Sequence, residues 1–444
     1  MPGPTPVAVA SDEKLPEAVD VVVIGGGIIG VTAALTLAER GVSVALCEKG
    51  EIGAEQSSRN WGWVRKMGRD PREIPLAIEA LRQWNGMDAR LGASTGFRVG
   101  GIAYLCEDEA ALARRSAWLD AARPYQLDTR IISGEEAAKL LPGATKRYAG
   151  ALYTASDGQA EPQKAAPAMA EGARRAGAHV FTRCAVRGIE TKAGRVAGVV
   201  TERGRIRCQS VVLAGGAWSR LFLGSIGVAL PQLKMLSSVM RTAPGGPELP
   251  DGAALGGDYA FRRREDGGYT LANGRAGVHQ LVPDSFRLFF EFQAAWKLER
   301  RDVSLSFGRR FFEEARLPRR WALDAPSPFE HRRILDPAPH RGILEDASKS
   351  LAEALPAMAR LEVVQRWAGL IDVTPDAVPV ISPVAALPGL VIATGFSGHG
   401  FGIGPGAGRL AADLVTDATP VVDPAAFRLS RFSEQPRPKP YGAV

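Results

Sequence analysis

The apolar positions of this chain fall into short β-branched runs that alternate with stretches of helical spacing. The run Val19-Asp20-Val21-Val22-Val23-Ile24 is nearly all apolar, the pattern of a strand covered on both faces. Residues 28–40 follow with Val31, Ala34, Leu35 and Ala38 at helical spacing, and Gly41 stops that helix. Residues 42–47 read as a second strand, ended by Glu48. Further along, 163–176 reads as a helix, 179–181 and 390–394 as strands, and 210–219 as a buried strand running into a glycine turn. A helix from about 407 to 416 closes the series. Tyr259-Ala260-Phe261-Arg262 and Gly268-Tyr269-Thr270-Leu271-Ala272 read as paired strands around the turn Glu265-Asp266-Gly267. The fold class is therefore α/β, and at 444 residues two domains are expected.

The first strand runs straight into Gly25-Gly26-Gly27-Ile28-Ile29-Gly30, which satisfies G-x-G-x-x-G between a strand and a helix. Gly25 permits the tight turn, Gly27 lets backbone approach a pyrophosphate, and Gly30 lets helix and strand pack closely. The helix start at Ile28 and Ile29 offers amides to phosphates. Glu48, eighteen residues beyond Gly30, suits ribose hydroxyls and repels a 2′-phosphate, and Lys49 stands beside it. This is a Rossmann-like dinucleotide site, and alone it does not separate FAD from NAD. The next segment holds Ser57, Ser58, Arg59, Asn60 and Trp61. It reads either as the completion of a pyrophosphate cradle or as a polar surface loop.

Composition narrows the class. Apolar residues at 45% and charged residues at 23% are ordinary for a globular enzyme. The four cysteines and five histidines show neither CxxC pairs nor metal-ligand spacing, so neither a metal site nor a disulfide framework is expected. The net charge of +7 comes from basic residues interleaved with acidic ones, and no nucleic-acid module is legible. No run approaches the roughly 18 apolar residues of a membrane span, and the first residues lack the pattern of a secretion signal. A cytoplasmic protein with a loose tail at 1–17 is expected.

Two further blocks bring in a family. They are Ser210-Val211-Val212-Leu213-Ala214-Gly215-Gly216-Ala217-Trp218-Ser219, and Trp367-Ala368-Gly369-Leu370 through Thr374-Pro375-Asp376 to Gly395-Phe396-Ser397-Gly398-His399-Gly400-Phe401-Gly402. With the glycine turn, they resemble the D-amino-acid oxidase superfamily of flavoproteins, in particular its sarcosine oxidase and glycine oxidase branch. The resemblance implies a discontinuous FAD-binding domain at 18–92, 154–229 and 363–435. It also implies an interleaved α+β substrate domain with a mixed antiparallel sheet at 93–153 and 230–362, and a tail at 436–444. It assigns Val186 to adenine, and Ala214, Gly215, Trp218, Gly369, Gly395, Ser397, Gly398, Gly400, Phe401 and Gly402 to the cofactor. The glycine-rich stretch would press its amides on the flavin, with the following helix aimed at the pyrimidine side.

The chemistry implied is oxidation of an amine or amino acid by hydride transfer from the α-carbon to flavin N5, giving an imine that hydrolyses. Alternatives are a flavoprotein subunit of a multi-subunit, opine-type dehydrogenase, or an enzyme of hydroxy acids. His399 and Arg65 are the expected catalytic residues, and Trp63, Arg262 and Arg264 the expected substrate contacts. Gly369 stands where the sarcosine branch has its flavin-linking cysteine, so noncovalent FAD is expected. The branch's carboxylate partners are Gly402 and Ile371 here, and its oxygen-activating lysine aligns with Thr270. These departures favour substrates beyond sarcosine and glycine, and the missing lysine tilts the reading toward a dehydrogenase; the electron acceptor expected is oxygen or another redox carrier. The aromatic and basic segment 286–321 reads first as helices packed on their own domain. A partner-subunit, homo-oligomer or peripheral membrane surface is the alternative.

Overall fold

The computed structural model describes residues 3–441. The first strand, Val21–Ile24, lies inside a six-stranded sheet. The order is Val380–Pro383, Leu390–Thr394, Ser210–Leu213, Val21–Ile24, Val44–Cys47, His179–Phe181. Every pairing is parallel except that of Val380–Pro383. Successive residues of the first strand serve two cores. Val21 and Val23 join the helices Ile28–Glu39, Pro162–Arg175 and Gly400–Val415, whereas Val22 and Ile24 join Val186, Trp218 and Phe222. That two-sided burial explains the unbroken apolar run.

The glycine-rich stretch is a correction to the sequence reading, because the last helix begins at Gly400 rather than near 407. Its glycines are packing residues. A Cβ on Gly404 would lie 2.9 Å from Ile28, and one on Gly408 would lie 2.8 Å from the Ile29 carbonyl oxygen. One on Gly406 would lie 2.8 Å from the Leu76 carbonyl oxygen. Only helices without side chains at those positions can approach this closely.

A ten-stranded mixed sheet lies beside the first. Tyr259–Arg263 and Tyr269–Ala272 pair antiparallel within it, with Arg262 opposite Thr270. Ala253–Gly256 runs parallel to Ile102–Cys106. The strand Val363–Val373 departs from the expected domain boundary. It pairs along Leu233–Thr242 in this second sheet, and the chain returns to the parallel sheet only at Val380–Pro383.

Residues 3–17 are not the loose tail expected. Val7 N donates to Gln163 O at 2.9 Å, Asp12 N to Val180 O at 2.8 Å, and Val9 is buried. The segment 286–321 also departs from its first reading. Its helices Phe289–Glu299 and Arg309–Ala315 bury no residue, and Phe286, Phe290 and Phe307 are 63%, 71% and 61% exposed. Among the described residues no helix is long and apolar enough to cross a membrane.

Candidate active site

One cavity of about 390 Å³ runs from the glycine turn to the start of the last helix. At the turn, Gly25 has φ +109°, and a Cβ there would meet the Ala214 carbonyl oxygen at 2.4 Å. Ser57 Oγ accepts from Ile28 N at 2.9 Å, so the hydroxyl sits at the mouth of the helix. The Glu48 carboxylate accepts from Gly26 N and from Gly50 N, both at 2.7 Å. It thus splints the turn as well as lining the cavity. Burial pushes its pKa up, against the opposing pull of Lys49 and those two amides. Lys49 pairs with Glu55 at 2.7 Å and lies over the Trp218 ring, whose Nε1 donates to Glu55 at 3.1 Å.

At the other end, Leu390–Thr394 delivers the chain to Gly395 at φ +74°, whose amide donates to Asp372 Oδ2 at 2.7 Å. Thr394 Oγ1 donates to the same oxygen at 3.1 Å. Burial pushes Asp372 up to about 6. The turn continues through Ser397 at φ +49° and Gly398 to His399, the residue before the helix. His399 Nδ1 lies 3.0 Å from Oε2 of Glu73, which is fully buried. Burial lowers the histidine pKa and the charge of Arg69 lowers it further, while Glu73 opposes both. A Cβ on Gly402 would meet the Trp63 carbonyl oxygen at 3.0 Å, so the segment carrying Trp63 and Arg65 lies against the helix start.

The expected residues Gly25, Gly27, Ile28, Ile29, Glu48, Lys49, Ser57, Arg59, Asn60, Trp61, Val186, Ala214, Gly215, Trp218 and Gly369 line this cavity. So do Trp63, Arg65, Ser397, Gly398, His399, Gly400, Phe401 and Gly402. Gly30, Ser58 and Gly395 lie behind the wall. A Cβ on Gly30 would meet Gly25 O at 1.9 Å, and the Ser58 hydroxyl donates to Glu55 O at 3.3 Å. Arg59 is committed to the fold through Asp336 at 2.7 Å and Ala368 O at 2.8 Å.

Arg262 and Arg264 are misplaced by the sequence reading, since neither lines the cavity. Arg262 is buried in a two-pronged pair with Glu161 at 2.8 and 2.9 Å, and Arg264 pairs with Asp266 at 3.2 Å. Sequence reasoning also passed over Arg69, which lines the cavity, and Glu73, which sits beneath His399. The available signal was charge at Arg65, Arg69, Arg72 and Glu73 in a segment that otherwise reads as a loop.

The FAD dependent oxidoreductase family, DAO, matches residues 20–414. The chain belongs to that family. This FAD dependent oxidoreductase is 28% identical to glycine oxidase from Pseudomonas aeruginosa, over 92% of its own length and 97% of the relative's. It is 24% identical to sarcosine oxidase subunit beta from Rhodobacter capsulatus, over 94% and 89%. Among solved structures it is similar to L-amino acid deaminase from Proteus myxofaciens in complex with anthranilate. The TM-score is 0.93 at 38% identity, covering 97% of each chain. The enzyme's own geometry fits its family's cofactor, because Gly25 and Gly27 line the cavity at one helix start, where a Cβ would meet Ala214 O at 2.4 Å or Ser57 Oγ at 3.2 Å, and the cavity continues to a second helix start.

Proposed function

We propose that this enzyme oxidises an amino acid, primary or N-substituted, to an imine that water hydrolyses. FAD, when bound, would supply the two-electron acceptor for the hydride lost from the substrate α-carbon. The turn from Gly25 to Gly30, with Ser57, would hold the pyrophosphate, while Glu48 and Val186 would hold the adenosine. Gly398 to Gly402 would lie against the flavin ring. Gly369 brings no nucleophile to the cavity, which supports noncovalent binding.

The pair His399–Glu73 carries the reading. With Glu73 accepting from Nδ1–H, a neutral His399 presents Nε2 to the cavity as an acceptor. It thereby favours a neutral substrate amine, the form that can surrender hydride. Glu73 is a positioning residue, acting through His399. Anthranilate, an aromatic amino acid bound by the Proteus relative, supports the amino-acid class. Purified protein should be yellow, release FAD on denaturation and bleach anaerobically with members of an amino-acid panel. Bleaching by 2-hydroxy acids alone would overturn the amine reading.

A second reading adds a partner, and the exposed aromatic segment 286–321 favours it. The relative from Rhodobacter capsulatus is itself named as a subunit. On this reading the enzyme is cytoplasmic and passes electrons to oxygen or to another redox carrier. The segment would then contact a partner subunit, a second copy or a membrane surface.

A further inference from the structure

Asp372 lines the cavity at 2% exposure, and among the described residues no cation is bonded to its carboxyl. Every donor to its Oδ2 is neutral. Gly395 N donates at 2.7 Å, and Thr394 Oγ1 and Gln232 Nε2 lie at 3.1 and 3.2 Å. The last two also lie 3.1 and 3.2 Å from the Gly216 carbonyl oxygen, so the carboxyl joins both glycine turns of the cavity wall. The charged side chains on the elements around it are engaged elsewhere. Lys234, opposite it across the strand pair, meets Glu314 at 2.9 Å, and Arg220, whose amide bonds Gln232, meets Asp284 at 2.7 Å. Around Gln56, Glu55 pairs with Lys49 and Arg59 with Asp336, both at 2.7 Å. His399 lies 3.0 Å from Glu73, and Asp376 lies 3.1 Å from Arg431. Burial also pushes up Glu48 and Asp157, but the charge of Lys49 opposes it in the first and those of Lys66 and Arg65 in the second. Burial takes Asp372 up to about 6 with hydrogen bonds alone, from Gly395, Thr394 and Gln56, working against it. A buried carboxylate without a counter-charge is costly, and such groups gather where a site handles charge.

We infer that Asp372 is the charge-compensating group of this cavity, ionised while the flavin is oxidised and taking up one proton when the flavin is reduced. The inference rests on the placement of FAD in the reading above and is independent of the substrate. Hydride lost from a substrate α-carbon carries two electrons and one proton, and so adds one negative charge to the cavity. A second negative charge in a space of low dielectric raises a nearby carboxyl's pKa, here from about 6 past neutrality. Asp372 then accepts a proton from water. Its O–H bond forms as a hydronium O–H bond breaks, and the net charge of the cavity is unchanged. Asp372→Asn removes this acceptor and keeps an oxygen for the Gly395 amide.

Equilibrium reduction of FAD-loaded full-length protein with mediator dyes, from pH 6.5 to 8, counts the protons. In the wild type the reduction equilibrium should fall about 100-fold per pH unit, two protons for two electrons. In Asp372→Asn it should fall about 10-fold, the single proton carried by the hydride. With isotope-labelled aspartate, the reduced-minus-oxidised infrared spectrum of the wild type should gain a protonated-carboxyl band that Asp372→Asn lacks. Asp157→Asn should match the wild type in slope and gain a band of the same kind. A 10-fold slope in the wild type would overturn the inference, as would a 100-fold slope that survives in Asp372→Asn. Loss of the second proton in Asp157→Asn would overturn it too. Should Asp372→Asn shed its cofactor, the wild-type slope, the aspartate band and Asp157→Asn decide without it. An Asp372-dependent second proton in protein that no amine bleaches would sink the amine reading and leave this inference standing. Protein that takes up no FAD would sink both.

Discussion

Glu73 Oε2 lies 3.0 Å from Nδ1 of His399, and on the function proposed above the other ring nitrogen can accept only while the ring is neutral. Burial holds the ring's pKa below the ordinary 6.5, with Arg69 adding to the effect, so neutrality extends to more acid solution. Flavin reduction should therefore rise with pH through a limb below 6.5 and stay up above it, until the substrate amine contributes its own limb. Glu73 counteracts the depression, so Glu73→Gln should move the His399 limb to still lower pH and leave the substrate limb in place. Stopped-flow reduction from pH 4.5 to 9 would show this, and an unmoved acid limb would remove Glu73 from its positioning role. The histidine was legible because it stands inside a glycine-rich block, while its partner was not. Glu73 lies 326 residues away, and only the packing of the 63–73 segment on the last helix joins them. Arg262 failed in the opposite direction: its strand was read correctly, but sequence could not show that Glu161 neutralises it.

Between elements, the closest approaches are made by glycine. The helices Ile28–Glu39 and Gly400–Val415 meet where Gly408 faces backbone, with Ala33 N and Ile29 O each 2.8 Å from the Cβ it lacks. Gly408→Ala should force the pair apart, at about 1–3 kcal/mol of stability. Because the first of these helices also carries the phosphate turn, FAD retention should weaken as well. Gly86 provides the contrast, since it is exposed inside the helix Ile74–Leu91 and a Cβ there meets nothing within 4 Å. Gly86→Ala should stabilise the protein by about 0.5–1 kcal/mol and leave FAD untouched. Denaturant midpoints and released FAD check both substitutions, and equal effects would reject the packing account. Apolar runs of four or five residues located the parallel strands because burial on both faces demands them. The same glycines looked like bare loop because composition does not distinguish chain pressed on a ligand from helix pressed on helix.

Two contacts act at the scale of the whole molecule. Arg262 of the second sheet joins Glu161 and the Trp61 carbonyl oxygen, tying that sheet to the segment leading into the helix Pro162–Arg175. Burial alone would raise Glu161, but the bonds and charge of Arg262 outweigh it and hold the carboxyl at about 2. A depressed folded-state pKa gives stability that is present above the unfolded value of 4.5 and is lost as pH falls toward 2. Arg262→Met should cost about 3–5 kcal/mol at neutral pH by stranding the carboxylate. It should also raise the pH of acid unfolding, with little change in substrate affinity for molecules that remain folded. The second contact faces outward. Phe286, Phe289, Phe290 and Phe307 are all more than half exposed on a segment that also carries Arg300, Arg301, Arg309 and Arg320. Apolar rings gathered on a basic surface are costly in water unless something covers them. If that cover is a second copy or a partner subunit, wild-type protein should associate in light scattering or with its electron acceptor. Phe286→Ser, Phe289→Ser and Phe290→Ser together should abolish the association while reduction by substrate proceeds unchanged. Sedimentation with anionic vesicles, also lost in the triple variant, would identify a membrane surface instead. A wild type that stays monomeric, ignores vesicles and matches the triple variant with every acceptor would show that these rings cover nothing.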